Sequence, residues 1–336
     1  MLTGKIRKIG LSTKVQWRSF SRSRSLSLAK PVDEYIPTRT TQSLSSQISA
    51  AFDLLDYKSI TPIRTLLSQL SNRSMKELQM GLSYESTPDN DRAVNTKQTP
   101  SNEVLLIAHI ARPSPHLRLA DRISICAGFA VAAGENDESP LVVSCTHTLN
   151  SLLTFQSQMK SALSDTSTDT PSATLILTYD NGSITDIRSA ESLESCLPLN
   201  DIVFYKPSAT LFGKGQNLRT LPVNPYPPPP RAPVAVWLPP NTTMDAPEWT
   251  FGSIDRYTTP NAKLAQIGTY DHLANVEIND AIPRLGASGS PIIEIESGAV
   301  CAIVKGAIST YPKSRGWATP AERVWECFDL PGLKFR

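Results

Sequence analysis

No acidic residue precedes Asp33, although Lys5, Arg7, Lys8, Lys14, Arg18, Arg22, Arg24 and Lys30 are spread through the same opening stretch. A basic, serine-rich, acid-free segment can present an amphipathic face and respond to a membrane potential, so residues 1–30 are expected to be a mitochondrial transit peptide. The other reading is a basic tail that touches RNA or anionic lipid. "RSFS" at residues 18–21 resembles a matrix-processing site, which would start the mature chain near Ser21. Long apolar runs are also missing. Without an uninterrupted hydrophobic core no secretory signal is expected, and nothing approaches the roughly 18 apolar residues of a membrane span. With no hydrophobic sorting segment after the presequence, the matrix is favoured over the intermembrane space.

Excess charge and metal-type cysteine spacing are lacking as well. The formal net charge is only +2, too small and too N-terminal to imply a specific nucleic-acid partner. The five cysteines, Cys126, Cys145, Cys196, Cys301 and Cys327, include no CxxC pair and no histidine at zinc-finger spacing. They read as small buried hydrophobes in a reducing compartment, and no metal or cofactor site is expected.

What is present is a soluble globular composition, with 40% hydrophobic and 19% charged residues over 336 positions. Residues 31–102 are expected to be a helical extension and linker. "SLSSQISAAFDLLDY" carries Leu44, Ile48, Ala51, Phe52 and Leu55 on one stripe. A second helix is expected at "TPIRTLLSQL" with Thr61 as N-cap and Pro62 first in the helix, and a third after "SMKELQMGL" on the capping-box spacing of Ser74 and Glu77. Residues 84–102 are polar and aperiodic. From residue 103 the texture changes to short strands and turns, with Asn181-Gly182 at a hairpin position. Such strands predict antiparallel barrels or a sandwich. The run "LPVNPYPPPPRAPV" cannot sit in a central strand, so residues 221–233 are read as a connector between β-subdomains spanning 103–220 and 234–336; an SH3-type ligand is the other reading of the prolines.

Three residues stand out. His147 follows the apolar strand of "PLVVSCTHTL", Asp201 opens the apolar strand of "NDIVFYKP", and Ser288 lies in the glycine turn "GASGSP". Taken singly, each has a plain structural reading: a hydrogen-bonded strand-end histidine, a turn acid, a turn serine. Together they run His, Asp, Ser, the chain order of chymotrypsin-type double barrels. "AGFAVAA", "SCTHTL", "LTYDNGSITDI", "NDIVFYK", "WTFGSIDRY", "VEINDAIPRLGASGSPII" and "GWATPAERV" then resemble, in order, segments of the trypsin-like serine proteases, closest to the HtrA/Deg branch.

The resemblance implies an all-β core of two six-stranded antiparallel β-barrels, with the N-terminal helical extension before it and a short C-terminal helix after it. It also implies a serine endopeptidase acting on protein or peptide substrates through an acyl-enzyme, with His147 as general base, Asp201 fixing its tautomer and Ser288 as nucleophile. The amides of Gly286 and Ser288 would form the oxyanion hole. Ala287, where digestive relatives carry an aspartate, removes their zymogen switch, and Ser290 replaces a second glycine. The tail after Cys327 leaves no room for a PDZ domain, so the helical segment 43–83 is expected to serve assembly, in a homo-oligomer or mitochondrial complex, or to cover the cleft. Ile282, at the depth of a basic-side-chain pocket, points to small or apolar residues at the cleavage position. The competing function is an inactive protease-fold subunit of a mitochondrial complex.

Overall fold

The computed structural model describes residues 43–329 apart from 57–58, 99–102, 113–120, 135–139, 153–170, 181, 214, 216, 241–245 and 311–312. The expected transit peptide and residue Asn181 of the expected hairpin lie outside the described residues. Helix α1 (Leu44–Asp53) is capped by Ser43, whose Oγ accepts the Ser46 amide at 3.2 Å, and buries Ile48, Ala51 and Phe52 as its stripe requires. Helix α2 (Ile63–Asn72) begins one residue later than expected, because Pro62 keeps an extended ψ of 147°. Thr61 does not cap it; its hydroxyl donates to the Glu191 carbonyl at 2.7 Å.

The expected third helix is instead a strand, β1 (Leu78–Gly81), which pairs in parallel with the C-terminal strand β16 (Phe328–Asp329). A four-residue segment gains little as an isolated helix, whereas the pairing buries Leu78 and Phe328 and satisfies the backbone. Residues 84–98 are likewise no free linker. Arg92 pairs with Glu85 at 2.8 Å and donates to the Thr220 carbonyl at 2.8 Å, while the Val94 amide donates at 2.8 Å to the carbonyl of Gly298, far along the chain.

Six strands close the first barrel: β2 (Leu105–Ala111), β3 (Arg122–Val131), β4 (Leu141–Ser144), β5 (Ser172–Asp180), β6 (Ser183–Leu197) and β7 (Ile202–Pro207). Their order is β5-β2-β3-β4-β7-β6 with β6 returning to β5, and β8 (Phe212–Gly213) adds to β6. All six pairings are antiparallel. β2 is buried along its whole length, which explains why its residues are apolar apart from His109. Leu106, Ala108 and Ile110 join a cluster with Ile48 and Phe52 of α1, whereas Leu105 and Ile107 join one with Ile63 and Leu66 of α2. The helices therefore cover the first barrel.

The second barrel comprises β9 (Pro233–Leu238), β10 (Glu248–Thr258), β12 (Asn275–Asn279), β13 (Pro291–Glu294), β14 (Val300–Thr310) and β15 (Lys313–Pro320), ordered β10-β12-β15-β14-β13-β9 and closed by β9 on β10. A short β11 (Leu264–Ala265) adds to β10. This is the chymotrypsin architecture. Closure removes the sheet edges that would otherwise invite association. The prolines at 227–230 stay outside both ladders, and the carbonyl of Pro228 accepts the buried Tyr257 hydroxyl at 2.8 Å. The expected C-terminal helix is a 3-10 helix, Ala321–Cys327. Among the described residues, no helix is long and apolar enough to cross a membrane.

His109 lies fully buried in the first barrel, with Nδ1 2.9 Å from Thr174 Oγ1 and Nε2 3.3 Å from Thr148 Oγ1. Because the Thr148 hydroxyl donates to the Cys145 carbonyl at 2.9 Å, Nε2 carries the proton and Nδ1 accepts from Thr174. Burial lowers the His109 pKa from 6.5 to about 4. The unfolded chain therefore takes up this proton first, and stability present above pH 6.5 is lost as pH falls towards 4, by up to ~3 kcal/mol. His109→Gln is expected to flatten this part of the stability profile, measured by urea unfolding between pH 7 and pH 4; an unchanged slope would refute the assignment.

Candidate active site

The site forms where loops of the two barrels meet. On the first-barrel side, residues 146–152 turn into a helix directly after β4, carrying His147. Asp201 ends the turn between β6 and β7 and has φ +62, a left-handed conformation that aspartate tolerates better than most residues. In that conformation its carboxylate meets His147 twice. Oδ2 is 2.6 Å from Nδ1, and Oδ1 accepts the His147 backbone amide at 2.8 Å. The aspartate side chain is 17% exposed and the imidazole 48%, so the carboxylate is screened while the far ring edge faces the solvent-open cleft.

Ser288 comes from the second barrel, between Gly286 and Gly289, both at φ +85. Its hydroxyl donates to the Lys305 carbonyl at 3.2 Å, and among the described residues it has no hydrogen bond to His147. Thus His147 and Asp201 are brought into contact, whereas the Ser288 hydroxyl is turned towards β14. The amides of Gly286 and Ser288 have no protein acceptor among the described residues and remain available as donors. Ser290, in place of the second glycine, avoids positive φ, is fully buried and donates its amide to Ala287 at 2.9 Å, while its hydroxyl has no hydrogen-bond partner among the described residues.

A seam of main-chain contacts sets the two halves in register. The Ala127 amide of β3 donates to the Ser288 carbonyl at 2.8 Å, and the Gly289 amide donates to Val304 of β14 at 2.8 Å. Cys145, two residues before the histidine, donates its thiol to the same Val304 carbonyl at 3.0 Å. Cys145 Sγ, a ring nitrogen of His147 and an Asp201 oxygen lie within 4.8 Å of one another, a spacing that could hold a metal ion. However, burial pushes the Cys145 thiol well above its usual pKa, and the carboxylate is already committed to His147, so the set is better suited to hydrogen bonding than to thiolate ligation.

A cleft of about 430 Å³ opens beside His147 and Asp201, lined also by Thr146, Asn150, Pro198, Leu199, Lys305 and Trp317. None of these belongs to α1 or α2, so the helices do not cover it. Ile282 is 42% exposed and lies outside this lining. Sequence reasoning missed Lys305 and Cys145. Cys145 lies within the histidine segment "SCTHTL" but reads there as one more buried thiol, whereas Lys305 stands in no motif and only strand pairing brings it to the site.

No protein-family model and no curated protein matches the chain. Among solved structures it is similar to Deg5, at 16% identity and a TM-score of 0.45 over 68% of this chain and 88% of that one. It is also similar to a thermostable serine protease, AL20, from an extremophilic microorganism, at 11% identity and a TM-score of 0.43 over 68% and 95%. A third is the protease Anisep from Arthrobacter nicotinovorans, at 12% identity and a TM-score of 0.41 over 67% and 92%.

A Cβ on Gly289 would stand 2.1 Å from the Ala127 carbonyl oxygen and 2.7 Å from Ser144 Oγ, whereas one on Gly268, also at positive φ, would meet nothing within 4 Å. Gly289→Ala is therefore expected to lower stability by several kcal/mol, against about 1 kcal/mol for Gly268→Ala, where only backbone strain acts. Equal losses for the two variants in denaturant unfolding would show that the seam is not tightly packed.

Proposed function

We propose that the chain is a serine endopeptidase in which His147, Asp201 and Ser288 form the catalytic triad. The double hydrogen bond between Asp201 and His147 carries this reading: Nδ1–H held by a carboxylate leaves Nε2 as the basic nitrogen, directed away from Asp201. A serine hydroxyl attacks an amide only when a base takes its proton as the bond forms. Rotation about the Ser288 side chain moves Oγ from the Lys305 carbonyl towards Nε2. Oγ then bonds to the substrate carbonyl carbon and its proton passes to His147. The amides of Gly286 and Ser288 receive the oxyanion, worth on the order of 10² to 10³ in turnover per donor. The imidazolium returns the proton to the departing amine as the peptide bond breaks. Water, deprotonated by the same nitrogen, next attacks the acyl-serine, and His147 passes that proton to Ser288 Oγ as the ester bond breaks and the carboxylic product leaves.

One observation favours a second reading, an inactive protease-fold subunit: the Ser288 hydroxyl bonds to Lys305 rather than to His147. Labelling with a fluorophosphonate separates the two. The wild type is expected to label, Ser288→Ala not at all, and Asp201→Asn at a rate lower by roughly 10⁴ because the amide favours the wrong histidine tautomer. Absence of labelling in folded wild-type protein would exclude the peptidase.

A mitochondrial location, with the matrix favoured, belongs to the same reading and is supported by the basic, acid-free composition of residues 1–30. Those residues fused to a fluorescent protein are expected to direct it to mitochondria, and reversal of the charge at Arg18, Arg22 and Arg24 to abolish import; cytosolic fluorescence of the unmodified fusion would remove this part of the proposal.

A further inference from the structure

Lys305 follows Val304 on β14 and lines the cleft beside His147. Its ammonium donates to Asn275 Oδ1 at 2.8 Å and stands 5.1 Å from the ring centroid of Trp317, another cleft residue. The Asn275 amide is oriented by its own bond from Nδ2 to Thr258 Oγ1 at 3.4 Å, which turns the oxygen towards the lysine. Among the described residues no carboxylate lies within ion-pair distance of this ammonium. The contrast with Arg315, on the neighbouring strand, is direct: that guanidinium has Asp255 at 3.2 Å and Glu277 at 2.8 Å.

The two carboxylate oxygens of Asp201 are taken by His147, so Asp201 attracts Lys305 without reaching it. Burial also disfavours the charged form of the lysine and pushes its pKa below the usual value. A partly buried cation held only by a neutral amide and an aromatic face gains from an incoming anion, which supplies the missing counter-charge in a weakly solvated place. The rest of the cleft narrows the class of anion. Pro198, Leu199 and Trp317 present apolar surface, with Leu199 93% exposed, and Lys305 is the one lysine or arginine in the lining. A single carboxylate on an aliphatic stem matches this set, whereas a doubly charged phosphate would be left with half its charge unpaired.

We propose that Lys305, with Leu199 and Trp317, forms a subsite that takes the carboxylate of a glutamate or aspartate side chain, next to the scissile bond of a peptide lying in the cleft. The subsite rests on the reading of the cleft as a peptide-binding site, and it adds a specificity that the triad alone does not give. It concerns a neighbouring substrate position, and so stands beside the small or apolar preference attached to Ile282.

Binding to Ser288→Ala protein tests the subsite without turnover. Fluorescein-labelled hexapeptides with amidated C-termini carry Glu or Gln at each position in turn, and a parallel set with free C-termini separates a side-chain carboxylate from a terminal one. At one position the Glu peptide is expected to bind about tenfold more tightly than its Gln counterpart by fluorescence anisotropy, the size of a charge-assisted hydrogen bond. Adding Lys305→Met, which keeps length and volume, is expected to bring the ratio to within about twofold, and Lys305→Arg to retain it. The subsite is refuted if no position discriminates, if no peptide of the set binds, if only the free C-terminus does, or if discrimination survives Lys305→Met. Failure of the peptidase reading appears elsewhere, as absent fluorophosphonate labelling of the wild type, and does not enter the binding ratio.

Discussion

The arrangement of this site depends on one close approach of backbones, that of Ala127 in the first barrel to Ser288 and Gly289 in the second. The Ala127 amide holds the Ser288 carbonyl at 2.8 Å, and its own carbonyl accepts the Ser144 hydroxyl at 2.7 Å. Gly289 has φ +85 and no room for a side chain. Each barrel is closed on itself and would otherwise be free to settle against the other on apolar contacts alone, which are not directional. Hydrogen bonds are directional, and a buried amide left unpaired costs about 1–3 kcal/mol, so one register is selected. Other contacts across the same seam agree with it: Cys145 to Val304, and the Thr319 hydroxyl to the Asn200 carbonyl.

The same register decides where the chemistry sits. His147 is two residues beyond Cys145 and Asp201 one beyond Asn200, so the seam passes within two residues of each. Small shifts there would be felt at the imidazole. Behind it lies a buried polar set, His109 with Thr148, Thr174 and Cys126. Each group has its partner, and burial holds His109 neutral and raises the Cys126 thiol to about 11, so the set carries no charge near neutral pH. A charged group there would compete with Asp201 for the orientation of His147. A neutral network can position the helix at residues 146–152 without disturbing the charge balance of the pair.

How much of this could be read in the chain depends on the range of the interaction. Strand texture, the helical stripe of Ile48 and Phe52, and the order His147, Asp201, Ser288 are local or ordinal properties, and all were legible. β1 was not, because "LQMG" gains its strand character only from Phe328, at the other end of the chain. The contacts of residues 84–98 were hidden for the same reason: the backbone acceptor of Val94 is Gly298, which no local pattern announces. Lys305 shows the limit most clearly. In sequence it is one more lysine after an apolar strand, "VCAIVK", and its neighbours Asn275 and Trp317 come from β12 and β15. The order histidine, aspartate, serine can be read along the chain, but the setting of Lys305 is defined by what surrounds it in space.

The position of Lys305 also follows from a constraint on Asp201. A cation in direct contact with Asp201 would compete with His147 for its oxygens. Lys305 avoids this by being held back. Asn275 and Trp317 keep the ammonium off the carboxylate, which still acts on it through space. The cost is a cation whose solvation is incomplete, open to the cleft on the side where no strand covers it. The restraint that spares the His147–Asp201 pair is therefore what leaves a charge exposed to whatever lies in the cleft, and it links the electrostatics of the pair to the choice of what binds beside it.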